Sequence, residues 1–225
     1  MKRSFLPLLI LTLTACVAPV DAPPPPTVLF SPTPQPAFPT LTVTPATSAT
    51  AIPTFTPYVI NPEFCQDARN MQLISNLTTA IQNRDGELLA SLVSPTTGIG
   101  VRYIRDGKVI TYFDNIKFIF ETTYQADWGL AVGSGEPVKG PFHEIVLPSL
   151  ERVFASNPVI SCNELKVGGA TYIPEWPYSG KNFYSVHYPG TDQYAGMDWE
   201  TWAVGMVLEG DKPMLAALVH YNWEP

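Results

Sequence analysis

The sequence predicts an α+β fold, with helices in the first part of a single domain and antiparallel strands in the last part. Apolar residues recur every three or four positions between residues 62 and 92. A turn-forming Asp106-Gly107 pair separates two β-prone segments, and most segments after residue 158 are also β-prone. We therefore expect an N-terminal helical hairpin and a further helix to pack on a curved antiparallel sheet, preceded by a disordered stalk.

The first helix is predicted to begin at Asn61-Pro62-Glu63, where asparagine caps, proline fits the first turn and the acid suits the helix dipole. Asp85 is placed to cap a short second helix, which Ser94-Pro95 ends. The apolar stripe of the first helix consists of Phe64, Ala68, Met71, Ile74, Leu77 and Ile81.

A β-hairpin with a type I′ turn is predicted at Asp106-Gly107. Residues 114–126 fit either a helix or a strand, and Trp128 to Gly135 indicate a glycine-rich loop. The segment from Pro141 to Ala155 is predicted to be helical, with an end or a kink at Pro148. The remaining candidate strands are 159–167, 182–188, 199–208 and 214–223.

Residues 1–15 have the layout of a signal peptide. Lys2 and Arg3 precede an apolar run that is too short to span a hydrocarbon core of ~30 Å. The following Leu13-Thr14-Ala15-Cys16 closely resembles the lipobox of bacterial lipoproteins. The resemblance implies cleavage before Cys16, a diacylglyceryl group on its thiol, and acyl chains such as palmitate. The alternative is an ordinary secretory signal with a chance cysteine.

Residues 16–58 are predicted to form a disordered, Pro/Thr-rich linker, because they contain 12 of the 24 prolines, nine threonines and a single charged residue, Asp21. Such sequence favours polyproline II and buries no core. Either an unmodified spacer or an O-glycosylated stalk fits this composition. Residues 59–225 then form the globular domain.

The formal net charge of −7 disfavours nucleic acid as a partner, because an acidic surface repels phosphates. The expected location is the extracytoplasmic face of a bacterial membrane, with the lipid anchor as the membrane contact. The domain is then free to bind a small molecule, a glycan or a protein.

Lipidation of Cys16 leaves Cys65 and Cys162, and an even count in an exported chain predicts a disulfide. Two free buried thiols are the alternative. No Cys-x-x-Cys motif indicates redox activity, and no motif indicates a cofactor.

Two segments resemble catalytic motifs only in part. His143-Glu144 begins like a zinc-protease helix, but Leu147 occupies the position of the second histidine. Gly133-Ser134-Gly135 lacks the spacing of a nucleophile elbow. We therefore predict no catalytic residue and no metal ligand from sequence motifs.

The order of elements in residues 61–225 is similar to that of the nuclear transport factor two-like cone: a helical hairpin, another helix and a curved sheet wrapping them. Small lipoproteins of uncharacterised function also share the layout of lipobox, stalk and single domain. This fold serves enzymes, ligand binders and subunit-pairing modules, so the resemblance implies no single function.

The candidate pocket residues are His220, His187 and Trp202. Period-two alternation along 214–223 groups His220 with Leu218 and Asn222, and sets Val219 and Tyr221 on the other face, which is expected to pack on the helices. His187 and Trp202 lie on neighbouring candidate strands, so we expect all three to share one cavity. The alternative is that His220 caps the sheet rim without a functional role.

The dense aromatic residues between Tyr172 and Trp223 fit a sheet core or a platform for a sugar or apolar ligand. The sequence favours a tethered binding or interaction domain. The alternative is an extracellular hydrolase or lyase that uses histidine and carboxylate in the cone. Dimerisation through an open sheet face is compatible with either function.

Overall fold

The computed structural model describes residues 62–155 and 157–225. The predicted signal peptide 1–15, Cys16, the linker 16–58 and the Asn61 cap lie outside these residues. The helices are α1 (Pro62–Gln66), α2 (Ala68–Asn83), α3 (Gly86–Leu92), α4 (Phe142–Ile145) and α5 (Leu147–Ala155), with short 3₁₀ helices at Ile116–Phe118 and Asp192–Tyr194. The strands are β1 (Ile99–Arg102), β2 (Val109–Tyr112), β3 (Ala126–Leu130), β4 (Pro137–Gly140), β5 (Val159–Cys162), β6 (Phe183–Tyr188), β7 (Glu200–Glu209) and β8 (Lys212–Asn222).

The described strands form a six-stranded curved sheet, in the order β2-β1-β8-β7-β6-β5, and a separate β3-β4 pair. The α+β class is therefore confirmed. The prediction of a purely antiparallel sheet is wrong, because β1 pairs with β8 in parallel, with Gly100 beside Ala217. The β5–β8 meander returns its last strand to the middle of the sheet, a placement that no local pattern encodes.

The N-terminal helical region contains a break that the sequence prediction did not include. The Asp67 side chain accepts a hydrogen bond from the backbone N–H of Arg69, so a new helix begins at Ala68. Asn70 is buried and donates to the Phe64 carbonyl at 2.7 Å, which fixes the inward face of α2. Met71 therefore lies outside the buried stripe and is 41% exposed.

Asp85 caps α3 as predicted, because its Oδ1 accepts from the backbone N–H of Leu88 at 2.9 Å. The helical segment is interrupted at Val146, between α4 and α5, and not after Leu147 as predicted, because Pro148 fits the first turn of α5. Trp128 and Gly129, however, lie in β3 and not in a loop. None of the helices in the described residues is long and apolar enough to cross a membrane.

The predicted β1–β2 hairpin is present, but its turn is different. Arg102 lies opposite Val109, so the hairpin is centred between Arg105 and Asp106, one residue before the centre of a turn at Asp106-Gly107. Neither of these two residues has a positive φ, so the turn is not type I′. Glycine is needed at position 107 for another reason, since a β-carbon there would lie 2.1 Å from the Trp128 carbonyl oxygen.

The central strands of the six-stranded sheet are buried on both faces. One face packs on the helices through Tyr184, Val186, Trp202, Val204 and Leu218. The other face forms a second core, in which Phe183, Trp199, Ala203, Val219 and Tyr221 contact the segment between Leu165 and Tyr178.

The prediction that Val219 and Tyr221 face the helices is therefore wrong. The face that carries His220 packs on the helices instead. A register shift between Gly205 and Met206 also brings Leu215 to the helix side. The segment between Leu165 and Tyr178 forms no strand or helix, so no periodic pattern indicated that it covers a sheet face. It covers the second face of the central strands, while Val109 of β2 and Val159 of β5 stay exposed at the two edges of the sheet.

The sulfur atoms of Cys65 and Cys162 lie 1.96 Å apart, at bonding distance. The pair joins α1 to β5 across 97 positions of sequence. It thereby ties the first helix to the edge strand at which the β-rich half begins.

Candidate functional site

The structure brings two of the three predicted pocket residues together. Trp202 lies opposite His220 on adjacent strands, and their ring centroids are 4.8 Å apart. His187 does not join them, because it lies opposite Thr201 and therefore on the other face of the sheet. The prediction of one cavity shared by all three residues is wrong, since the register places Val186, and not His187, beside Trp202.

His187 stabilises the second core. Thr201 donates its hydroxyl to the Lys166 carbonyl at 2.7 Å, and the Thr201 oxygen lies 2.8 Å from His187 Nδ1. Burial, aided by the Lys166 charge, holds the pKa of His187 below its usual 6.5. These contacts attach the covering segment to the sheet and provide no open site.

Glu200 is the centre of a polar network between α5 and the sheet. Its carboxylate accepts hydrogen bonds from Ser149 and, at 2.6 Å, from Arg152, and it lies 3.6 Å from His220 Nε2. Burial acts to raise the pKa of Glu200, but His220, Ser149 and Arg152 outweigh it and hold that pKa below its usual value. Trp202 Nε1 extends the network by donating to Ser149 Oγ at 2.9 Å.

His220 is enclosed by this network and by aromatic rings. Its Nδ1 lies 3.1 Å from the Tyr103 carbonyl oxygen, and its buried Nε2 faces Glu200. The imidazole stacks on the Tyr103 ring, with centroids 4.8 Å apart and planes at 7°, and only 4% of the residue is exposed. Neither nitrogen is available to an outside molecule, so His220 acts as a structural residue.

The network contains a serine, a glutamate and a histidine, but it does not have the geometry of a nucleophilic triad. In a triad the histidine lies between the serine and the carboxylate. Here Glu200 lies between Ser149 and His220, and Ser149 is buried. The arrangement fixes α5 on the sheet and exposes no nucleophile.

A cleft of about 430 Å³ opens beside His220, at the carboxyl ends of the parallel strands β1 and β8. The carboxyl ends of neighbouring parallel strands are a favoured location for ligand sites in α/β sheets. The volume of the cleft lies within the range of small-molecule sites, ~300–1,000 Å³. The walls combine apolar side chains with a few polar ones: Ile104, Val132, Val138, Ile145 and Trp223 with Tyr103, Arg105, Glu144 and Asn222.

An ion pair fixes one wall of the cleft. Glu224 is 3% exposed, and its carboxylate accepts a hydrogen bond from Arg105 Nε at 2.7 Å. Arg105 also lies over the Tyr172 ring, 4.6 Å from the centroid. The pair ties the last residues of the chain to the β1–β2 loop, so Trp223 is held at the cleft.

The cleft suits a ligand with an apolar or aromatic body and a polar end, because its lining combines aliphatic and aromatic side chains with charged and amide groups. Among the described residues, no three His, Cys, Asp or Glu side chains group closely enough to hold a metal ion. Sequence reasoning missed the cleft, since it depends on the parallel β1–β8 pairing. The aromatic-rich C-terminus was the one signal that pointed towards it.

Comparison with known proteins gives no relative from which a function can be transferred: no family model matches the chain, and neither does any curated protein or solved structure.

Proposed function

We propose that the protein is a lipoprotein, anchored through Cys16 to the extracytoplasmic face of a bacterial membrane, whose domain binds a small molecule in the β1–β8 cleft. The cleft is the observation that carries the binding function. The lipobox-like Leu13–Cys16 and the Pro/Thr-rich linker support the anchor. The Cys65–Cys162 pair supports an oxidising location.

Binding is favoured over the hydrolase or lyase alternative because of the position of His220. A general acid or base must lie within hydrogen-bond reach of the substrate. The nitrogens of His220 face Tyr103 and Glu200, inside the core. The ligand that fits the cleft is an apolar or aromatic small molecule with a polar group that contacts Arg105, Glu144 or Asn222.

We also infer that the domain is a variant of the nuclear transport factor two-like cone, with α2 and α3 as its helical hairpin and α5 as its further helix. The packing of α2 and α5 on one face of a curved sheet supports this inference. The separate β3–β4 pair and the covering segment on the second face are additions to that plan.

The anchor is tested by Cys16→Ser. The variant is expected to incorporate no labelled palmitate and to keep its signal peptide, because the thiol that carries the lipid is missing. Cys65→Ser is the matched control and should be lipidated normally. Normal processing and membrane retention of Cys16→Ser would show that the anchor is assigned wrongly.

The cleft is tested by Val132→Trp, which fills it from a side chain that is already 40% exposed. The probe is 1-anilinonaphthalene-8-sulfonate, which has an aromatic body and one anionic group. Calorimetric titration should show at least tenfold weaker binding to the variant than to the wild type. Leu130→Trp changes an exposed residue of the same hairpin outside the cleft and should bind normally. Equal binding by all three proteins would refute the proposed site.

A further inference from the structure

Strand β2 forms one edge of the six-stranded sheet, and no described strand pairs with its outer side. Large apolar side chains lie exposed around this edge: Val109 at 46%, Phe113 at 51%, Phe118 at 49% and Tyr124 at 59%. They line an open groove of about 700 Å³. An exposed apolar edge is a template on which another strand can pair.

We propose that β2 pairs antiparallel with β2 of a second copy of this chain, about a two-fold axis at Thr111, so that the two sheets become continuous. The proposal is independent of the cleft and of the lipid anchor. Both faces of the central strands are already covered, which leaves the edge of the sheet as the place for association.

The sequence of the edge is complementary to itself in this register. With Thr111 on the axis, Val109 lies opposite Phe113 of the partner subunit, and Ile110 lies opposite Tyr112 of the partner subunit. Paired residues of adjacent strands share a face, so both pairs bring apolar side chains together. A shift by one residue in either chain would separate them.

Charges at the two ends of the edge favour the same register. Lys108 then lies opposite Asp114 of the partner subunit, and the two-fold axis creates this pair twice. Asp114 has no ion pair among the described residues, and Lys108 is 65% exposed while it contacts Asp127. An acidic chain that repels its copies elsewhere gains attraction at this edge, which selects a second copy over an unrelated peptide.

A charge exchange tests the proposal in the full-length protein, kept in detergent and followed by sedimentation velocity. The wild type should show a reversible monomer–dimer equilibrium. Asp114→Lys should lower the association constant about fivefold, because it creates two like-charged pairs. Lys108→Asp combined with Asp114→Lys should restore it to within about twofold, although the contact with Asp127 is lost. A wild type that stays monomeric, or a double variant that stays as weak as Asp114→Lys, would overturn the proposal.

The register is tested by Thr111→Cys, which places two thiols together on the axis. Mild oxidation should give a disulfide-linked dimer on a non-reducing gel. Lys108→Cys is the control, because its two copies would lie about 20 Å apart along the paired strands and should not crosslink. Equal crosslinking of both variants, or no crosslinking of Thr111→Cys, would exclude this pairing. If the edge binds a different peptide, Thr111→Cys gives no crosslinked dimer, so that case also excludes this pairing.

Discussion

Glu200 is the residue through which α5, β7 and β8 are held together. It contacts Ser149 and Arg152 on α5, and it faces His220 on β8. The carboxylate side chain is only 13% exposed. If Glu200 is replaced, each of its partners loses an acceptor that water cannot easily replace. The network explains why a histidine that looks functional in the sequence is structural in the fold.

Glu200→Gln is expected to lower the free energy of unfolding by about 2–3 kcal/mol, because it leaves His220 and Arg152 beside a neutral amide. Glu151→Gln is the matched control, since Glu151 forms a more exposed ion pair with Arg84. That control should cost no more than about 0.5 kcal/mol. Urea unfolding measures both, and equal losses would mean that the Glu200 network adds nothing beyond a surface pair.

The same variant has a defined pH dependence. The pKa of Glu200 is lower in the folded protein than its usual 4.5, so the stability it contributes is fully present above that pH and is lost as the pH falls through the folded pKa. The difference in unfolding free energy between wild type and Glu200→Gln should therefore shrink below about pH 4.5. His187 is present in both proteins, so its contribution to the pH dependence cancels in this difference. A constant difference down to pH 3 would contradict the lowered pKa.

At the scale of single residues, the sequence predicts the pairing of His220 with Trp202 only in part. Alternation along a strand assigns residues to faces, and it placed His220 correctly beside Leu218 and Asn222. The face shared across strands depends on register, which is set by the intervening connection. The irregular connection between β6 and β7 put Val186 beside Trp202 and turned His187 away.

At the scale of elements, the Cys65–Cys162 pair joins the helical half to the β half. Replacing both residues by alanine should lower the free energy of unfolding by up to ~4.7 kcal/mol, the chain-entropy value for a loop of about a hundred residues. Urea unfolding checks this value.

Thiol titration of the unfolded, unreduced protein should find no reactive thiol at either position. Two reactive thiols would show that the bridge does not form.

Several elements follow from local patterns, and others do not. Asp85 caps α3 as its chemistry requires, Pro148 lies in the first turn of α5, and β6, β7 and β8 lie where β-prone runs occur. The parallel β1–β8 contact is non-local, so neither strand carries a sign of it. The segment between Leu165 and Tyr178 has no periodicity, and its covering role appears only in the folded chain.

At the scale of the whole molecule, the central strands of the sheet are covered on both faces, which leaves the ends and edges of the sheet for function. The cleft lies at the carboxyl ends of β1 and β8, and the free edge lies at β2. The composition predicted an exported, tethered domain with an acidic surface. It did not predict either surface, because each is assembled from segments that are distant in sequence.

The central claim is that the β1–β8 cleft is the ligand site, and the indole N–H signals of the five tryptophans test it most directly by NMR. Titration with 1-anilinonaphthalene-8-sulfonate should shift the signal of Trp223, assigned with Trp223→Phe, because this residue lines the cleft. The signals of Trp176 and Trp199, in the core on the other face of the sheet, should stay in place. Shifts confined to Trp176 and Trp199, or a saturated complex with an unmoved Trp223 signal, would contradict the account.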